Sequence, residues 1–193
     1  LKVICMNRPR AAGFCYDDVE IETMFKDAEI LLENGADGIS FGFLNPDATI
    51  NITHTKKMVE LIHRYRKEAV FHRAFDCVSD PYVAIQQLID CGVDRILTSG
   101  LQPTALQGCE LLKKLQSEFG ERVEILTGSG INVDNIEALR ERTGIHQFHG
   151  SCKTWEKDPT TTVGNISYAY HEKDDYDCVS IEIVRQIVQL LKR

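Results

Sequence analysis

The sequence has neither a long apolar segment nor an excess of basic charge. No window is apolar and long enough to cross a bilayer. The 22 lysines and arginines are outnumbered by 29 aspartates and glutamates, for a formal net charge of −7. A general nucleic-acid or acidic-membrane binder needs a net basic face, so we predict neither a nucleic-acid nor a membrane partner. A local basic pocket is still compatible with this charge.

Closely spaced cysteine pairs are also absent. The chain has 7 cysteines, an odd number, with no Cys-x-x-Cys or Cys-x-Cys pair among them. They are Cys5, Cys15, Cys77, Cys91, Cys109, Cys152 and Cys178. Dispersed thiols of this kind are typical of a reducing compartment, and we therefore predict a cytoplasmic location.

The motifs that reveal a reaction directly are missing as well. The sequence contains no nucleophile elbow, Walker loop, HExxH or zinc-ligand spacing. No pair of carboxylates at a strand end indicates glycoside hydrolysis. Whether the protein is an enzyme therefore stays open at the level of motifs.

Short apolar runs alternate with longer amphipathic stretches along the whole chain. The predicted strands are Lys2–Met6, Gly38–Phe41, Ala69–His72, Arg95–Thr98, Val123–Thr127 and His146–His149. Helical patterns lie between them, and one begins at Asp80-Pro81, a helix cap followed by proline. Gly35–Ile39 resembles Gly92–Ile96, a weak repeat in which a helix ends at glycine and a strand begins.

Strict alternation of strands and helices predicts parallel strands covered by helices. An open doubly wound sheet and a closed barrel both fit. We favour the barrel, since polar residues end nearly every strand and no GxGxxG follows the first strand. The predicted fold class is α/β, a (β/α)8 TIM barrel forming a single domain over residues 1–193.

The predicted barrel shows about six of its eight βα units. The chain opens at Leu1 inside a predicted strand, so we expect about two amino-terminal βα units to be missing from it. The longest stretch without a pattern is 151–177, which fits a functional loop and a disordered excursion equally well.

In such a barrel the functional site lies where the strands end. The candidate catalytic residues there are Arg8, His72, Arg73 and Asp76. If Arg8 and His72 both point inward, they meet across the top and favour an anionic ligand. The alternative is that Arg8 and Arg73 pair with Asp76 or Asp37 and only brace the rim. Asp76 is the acidic group placed like a general base, and Arg73 would keep it ionised.

Glycine-containing turns follow the fourth, fifth and sixth predicted strands. If two units precede the chain, the last two of these turns occupy the usual phosphate site of the fold. Asn132 could cap the helix after the fifth strand, although glycine also makes tight turns for purely steric reasons. The candidate anion-binding residues are Ser99, Gly100, Gly128, Ser129, Gly130, His149, Gly150 and Ser151.

Several strings in this order resemble the CutC family. They are Met6–Arg10 followed by Gly13–Tyr16, Phe71–Asp76 (FHRAFD), Arg95–Gly100 (RILTSG) and Phe148–Ser151 (FHGS). The resemblance implies a (β/α)-barrel, a cytoplasmic location, a homodimer or higher homo-oligomer, and a role in copper homeostasis with copper(I) as a bound ion. The family's Glu-Leu-Cys strand end, often linked to metal binding, is absent from this sequence.

The metal ligands themselves are not determined by the sequence. Copper(I) selects thiolate and thioether ligands. Cys77 and Cys152 each follow a strand end and could converge, although a single cysteine is more often a small packed residue. Lys153 follows Cys152 where the family commonly has arginine, and its point charge would bind an anion less specifically than a guanidinium.

Three hypotheses for the function follow. The chain handles copper(I) through thiols, or it is an enzyme acting on a small phosphorylated or otherwise anionic metabolite, or it is a structural dimer with a vestigial site. Stabilisation of the chain by copper would favour the first hypothesis. An anion bound at the strand ends would favour the second, and a large apolar patch on the outer surface would favour the third.

Overall fold

Six short strands form one parallel sheet in the order in which they occur along the chain. The structure is a computed structural model that describes residues 1–169 and 175–192, and its sheet has the order β1-β2-β3-β4-β5-β6. Every neighbouring pair of strands is parallel. The strands are β1 (Ile4–Met6), β2 (Gly38–Phe41), β3 (Glu68–Phe71), β4 (Arg95–Thr98), β5 (Glu124–Gly128) and β6 (Gln147–His149).

Helices separate the strands, and several of these helices begin at a residue whose side chain caps the first turn. Asp17 begins the first helix with a capping box, in which its carboxylate accepts from the Glu20 N–H. Asp80 caps the third helix ahead of Pro81, as predicted. The helices between strands are α1 (Asp18–Glu33), α2 (Ile52–Arg64), α3 (Pro81–Asp90), α4 (Cys109–Phe119) and α5 (Ile136–Thr143). No helix in the described part of the chain is long and apolar enough to cross a membrane.

The two faces of the sheet have different surroundings. Ile39, Phe41 and Phe71 are fully buried against the helices and belong to the main hydrophobic core. The alternate residues, such as Val70 and Leu97, line the opposite, concave face. A curled parallel sheet with helices on its outer face is a partial TIM barrel, so the predicted fold class is confirmed.

The repeat of Gly35–Ile39 in Gly92–Ile96 places an aspartate in front of a strand in each copy, and both aspartates accept hydrogen bonds from the preceding part of the sheet. Asp37 accepts a hydrogen bond from the Val3 N–H (3.0 Å), and Asp94 accepts one from the Ala69 N–H (2.7 Å). In both cases the aspartate immediately precedes a strand, and the donor lies in the preceding strand or just before it. The repeated aspartate therefore ties neighbouring strands together where they begin.

Residues 151–177 contain more regular structure than the sequence indicated. Strand β7 (Lys153–Lys157) pairs antiparallel with β10 (Asp175–Val179), and β8 (Thr162–Val163) pairs with β9 (Ile166–Ser167). These strands are mostly exposed, so they show no alternating apolar pattern from which to predict them. Residues 170–174 of this stretch lie outside the described residues. The final helix, α6 (Ile181–Leu191), begins after the cap Ser180.

Candidate functional site

A pocket of about 460 Å³ lies on the concave face of the sheet and extends to the carboxyl ends of its strands. Four of the residues predicted for the site line it, namely Arg8, His72, Arg73 and His149. They come from the ends of three different strands, β1, β3 and β6. The curl of the sheet therefore brings together side chains that are far apart in the sequence, as expected at the top of a barrel.

Arg8 follows β1 and extends its guanidinium over the Phe14 ring, with 4.8 Å between Cζ and the ring centroid. One terminal nitrogen donates to the Ala12 carbonyl. The Nε atom is buried and has no hydrogen-bond partner among the described residues. Neither Asp37 nor Asp76 forms an ion pair with Arg8, since they pair with Lys67 and Arg73 instead.

His72 follows β3 and is almost completely buried, with 4% of its surface exposed. Its Nδ1 accepts a hydrogen bond from the Ala74 N–H at 3.1 Å, so the neutral ring carries its proton on Nε2. That Nε2 is buried and has no partner among the described residues. Burial, and then the charge of Arg8, lower the pKa of His72 to about 4, so the imidazole is neutral at neutral pH.

Two neighbours fix the position of the His72 ring. A Cβ at Gly42 would lie 2.7 Å from the imidazole, so only glycine leaves room for the ring there. On another side the Phe14 ring packs at 5.0 Å from the imidazole, with the planes tilted by 54°. Phe14 therefore contacts both Arg8 and His72. The pattern of polar residues at the strand ends did not indicate Phe14, whose only signal in the sequence was its place in the Gly13–Tyr16 string.

Arg73 and Asp76 form a network at the rim of the pocket. The Asp76 carboxylate is 8% exposed and accepts from Arg73 Nε at 2.7 Å. It also accepts from Thr98 Oγ1 (2.6 Å), Ser99 N (2.9 Å), Ser99 Oγ (2.9 Å) and Leu101 N (3.3 Å). These donors occupy its lone-pair directions, so the arrangement favours a bracing role over the predicted general base. The alternative pairing of Arg73 with Asp76 is the one observed.

Ser99 and Gly100 belong to the same network and not to the pocket wall. Ser99 is fully buried, and its hydroxyl contacts Arg73, Asp76 and the Gln102 carbonyl. Gly100 has a φ of +71°, and a Cβ there would lie 2.4 Å from the Gly108 carbonyl oxygen. Both residues thus have packing reasons for their identity, and anion binding by them stays a prediction.

The turn after β5 is also held by packing. A Cβ at Gly128 would meet a Leu97 methyl group at 2.8 Å. Ser129 donates to the Pro103 carbonyl at 2.7 Å, which ties the turn to the loop after β4. Gly130 has a φ of +72°, a conformation that favours glycine. The steric explanation that the sequence left open therefore accounts for Gly128 and Gly130, and anion binding by Gly128, Ser129 and Gly130 stays a prediction.

The helix after this turn begins later than the sequence suggested. Its cap position is Asn135, and its first residue is Ile136. Asn132 instead accepts from the Asp134 N–H at 2.9 Å within the turn, so the prediction that Asn132 caps the helix was wrong. Asn135 donates to the Gly130 carbonyl at 2.7 Å and makes no side-chain cap.

The last turn places only one of its predicted residues in the pocket wall. His149 lines the pocket, whereas Gly150 and Ser151 are exposed beyond it. A Cβ at Gly150 would lie 3.5 Å from the Ile131 carbonyl oxygen, an ordinary contact. Anion binding by Gly150 and Ser151 stays a prediction.

The described residues do not assemble an evident metal centre. Across residues 1–169 and 175–192, no group of three or more His, Cys, Asp or Glu side chains is arranged to hold a metal ion. All seven cysteines are free thiols; Cys77 is exposed and Cys152 partly buried. Burial raises the pKa of the Cys91 and Cys109 thiols, which disfavours the thiolate that copper(I) prefers.

The fold and the pocket together define a class of protein. It is a (β/α)-barrel protein with a partly polar pocket that runs along the concave face of its sheet to the carboxyl ends of the strands, which a guanidinium and a neutral imidazole line.

Comparison with known proteins identifies the family. The model of the CutC family matches residues 1–154, and the chain belongs to this family. A CutC family protein from Treponema denticola is 36% identical over 195 residues, covering 99% of this chain and 78% of the relative. One from Bacteroides fragilis strain YCH46 is 42% identical over 146 residues, covering 76% of this chain and 57% of the relative.

A solved structure agrees with this assignment. The CutC protein from Streptococcus agalactiae, whose name assigns it to copper homeostasis, superimposes with a TM-score of 0.73 at 29% identity. The match covers 78% of this chain and 72% of the other. The expected membership of the CutC family is therefore confirmed.

Proposed function

We propose that the pocket around Arg8 and His72 binds a small anionic compound. The observation that carries the proposal is that two of the buried donors without a partner among the described residues, Arg8 Nε and His72 Nε2, belong to side chains that line this pocket. A buried donor without an acceptor costs free energy, and native proteins rarely keep one without a reason. A ligand that accepts from both nitrogens would remove that cost.

The chemistry of the pocket favours an anion over a metal cation. The Arg8 guanidinium repels a cation and attracts an anion. His72 lines the pocket and its tautomer carries the proton on Nε2, and a protonated nitrogen cannot coordinate a metal. The proposal covers binding of the compound and assigns it no reaction.

The proposal predicts that anions stabilise the chain through Arg8. Acetate or inorganic phosphate, added at neutral pH and matched ionic strength, should raise the midpoint temperature of thermal unfolding. At saturating anion, the rise should correspond to an increase of about 1–3 kcal/mol in the free energy of unfolding. Arg8→Gln should abolish the shift. Arg64→Gln removes the same charge from the exposed end of α2 and should leave it intact. Equal shifts in the wild type and Arg8→Gln would contradict the proposal.

A second candidate function is copper homeostasis, which is favoured by the family and by the name of the Streptococcus agalactiae relative. We propose that any copper(I) carried by this chain is bound by thiols at the strand ends, of which Cys77 and Cys152 are the candidates. A cytoplasmic location and a homo-oligomer stay predictions alongside it.

The copper proposal predicts thiol-dependent binding. Competition with a copper(I) chelator under reducing conditions should show binding that falls by about tenfold or more when Cys77 and Cys152 are replaced by serine. Replacing Cys91 and Cys109, which are buried in the core, provides the matched control pair. An unchanged affinity in the Cys77 and Cys152 double variant would remove these two thiols from consideration.

A further inference from the structure

Within the described part of the chain, the pocket has one arginine without a carboxylate partner, and its positive charge matches a ligand with a single negative charge. Three arginines among the described residues line it, and two are already paired. Arg73 pairs with Asp76, and Arg95 pairs with two glutamates at the amino-terminal ends of the strands. Arg8 alone of these three has no carboxylate partner. One cation fits a monoanion, whereas a phosphate group, which carries more than one charge at neutral pH, needs more compensation.

His72 supplies a donor without supplying charge. Its Nδ1 is occupied by the Ala74 N–H, so Nε2–H is the ring donor that is left without a partner among the described residues and available to a ligand. Burial keeps the ring neutral at neutral pH. A neutral N–H forms its hydrogen bond with any oxygen acceptor, including an uncharged carbonyl or hydroxyl oxygen.

The remaining wall is largely apolar. Phe14 contacts both donor side chains, and below them the wall consists of strand residues that include Val70, Leu97 and Leu126. Apolar walls favour a ligand whose body is hydrocarbon and whose few polar groups are concentrated at one end.

From these three features we infer that the ligand is a small monocarboxylate that carries a neutral oxygen acceptor near its carboxylate and an apolar body. Arg8 binds the carboxylate, and His72 donates to the neutral oxygen. The inference rests on the proposed anion-binding function and narrows it from anions in general to this class. Of the phosphorylated or otherwise anionic metabolites that the sequence left open, it selects a carboxylate.

Calorimetric titration of the chain with three probes at neutral pH tests the inference. The probes are 2-oxobutanoate, butanoate, which lacks the neutral oxygen, and inorganic phosphate. We expect 2-oxobutanoate to bind roughly 3- to 10-fold more tightly than butanoate, the effect of one added neutral hydrogen bond, and phosphate to bind most weakly. Phosphate binding more tightly than both carboxylates would overturn the inference while leaving the proposed function intact. If no probe binds through Arg8, the proposed function fails with it.

Variants separate the two donors. His72→Asn keeps an oxygen that can accept the Ala74 N–H, and asparagine is a good cap, but it withdraws the Nε2 donor. The His72→Asn variant should therefore bind 2-oxobutanoate and butanoate with equal affinity. Arg8→Gln should weaken both carboxylates by a similar factor, and Arg64→Gln should change neither. A preference for 2-oxobutanoate that survives His72→Asn would overturn the assignment.

A spectroscopic measurement covers the case in which His72→Asn does not fold. The imidazole ¹⁵N and N–H signals of His72 in the wild-type chain report directly on Nε2. A hydrogen bond to the keto oxygen should move the N–H proton downfield with 2-oxobutanoate and by less with butanoate. Identical shifts with the two ligands would count against His72 as the donor.

Discussion

Replacing Asp76 with alanine is expected to lower the free energy of unfolding by about 3–5 kcal/mol. The carboxylate is buried and accepts from the Arg73 guanidinium, the Thr98 hydroxyl and the backbone N–H groups of Ser99 and Leu101. Alanine would leave the buried Thr98 hydroxyl and Ser99 N–H without this acceptor, and that loss is larger than the loss of an exposed ion pair. Urea unfolding measures the change.

Asp134→Ala provides the matched control for Asp76→Ala. Asp134 is an exposed aspartate in the turn before α5, so its replacement should change stability by no more than about 0.5 kcal/mol. If Asp76→Ala were as mild as this control, the carboxylate would not be bracing the rim, and the general-base role predicted from the sequence would regain support.

The stability of the chain is expected to fall by about 3 kcal/mol between pH 6.5 and pH 4 because of His72 alone. The pKa of His72 is lowered from 6.5 to about 4 in the folded state, mainly by burial and also by Arg8. In that window the unfolded chain binds a proton that the folded chain does not bind. Stability is therefore complete above pH 6.5 and decreases as the pH falls towards 4.

The variant His72→Asn isolates this contribution. Arg8, Arg73 and His149 line the same pocket as His72, and carboxylates elsewhere titrate at the acidic end of the window. These groups are present in both proteins, so the difference between the two pH–stability curves reports on His72. The curve of His72→Asn should be flatter from pH 6.5 to 4. Parallel curves for the two proteins would show that the imidazole is not buried in its neutral form.

The architecture was largely predictable because it depends on local patterns. Alternating strand and helix signals determined the parallel order, and Asp80-Pro81 marked the start of α3, as observed. Strand ends were placed within two residues, the usual uncertainty when backbone hydrogen bonds decide a boundary. The strands in 151–177 were missed because two-stranded, exposed ribbons bury no face and carry no periodic signal.

The site was predictable only in part. Polar residues at strand ends pointed to Arg8, His72 and Arg73, which the pocket brings together. The sequence could not show that Asp76 is saturated by donors, because those donors come from β4 and the loop that follows it. Phe14 was missed as a site residue because an aromatic side chain in a loop has no spacing that marks it.

The sequence by itself determined the class of fold, the family and the strand ends at which polar chemistry is concentrated, because these follow from patterns read along one chain. Only the tertiary structure decided which polar groups are free to meet a ligand. It paired Asp76 with its neighbours and left Arg8 Nε and His72 Nε2 without partners among the described residues. Pairing depends on contacts between distant segments, and burial decides whether an unpaired group is costly or harmless.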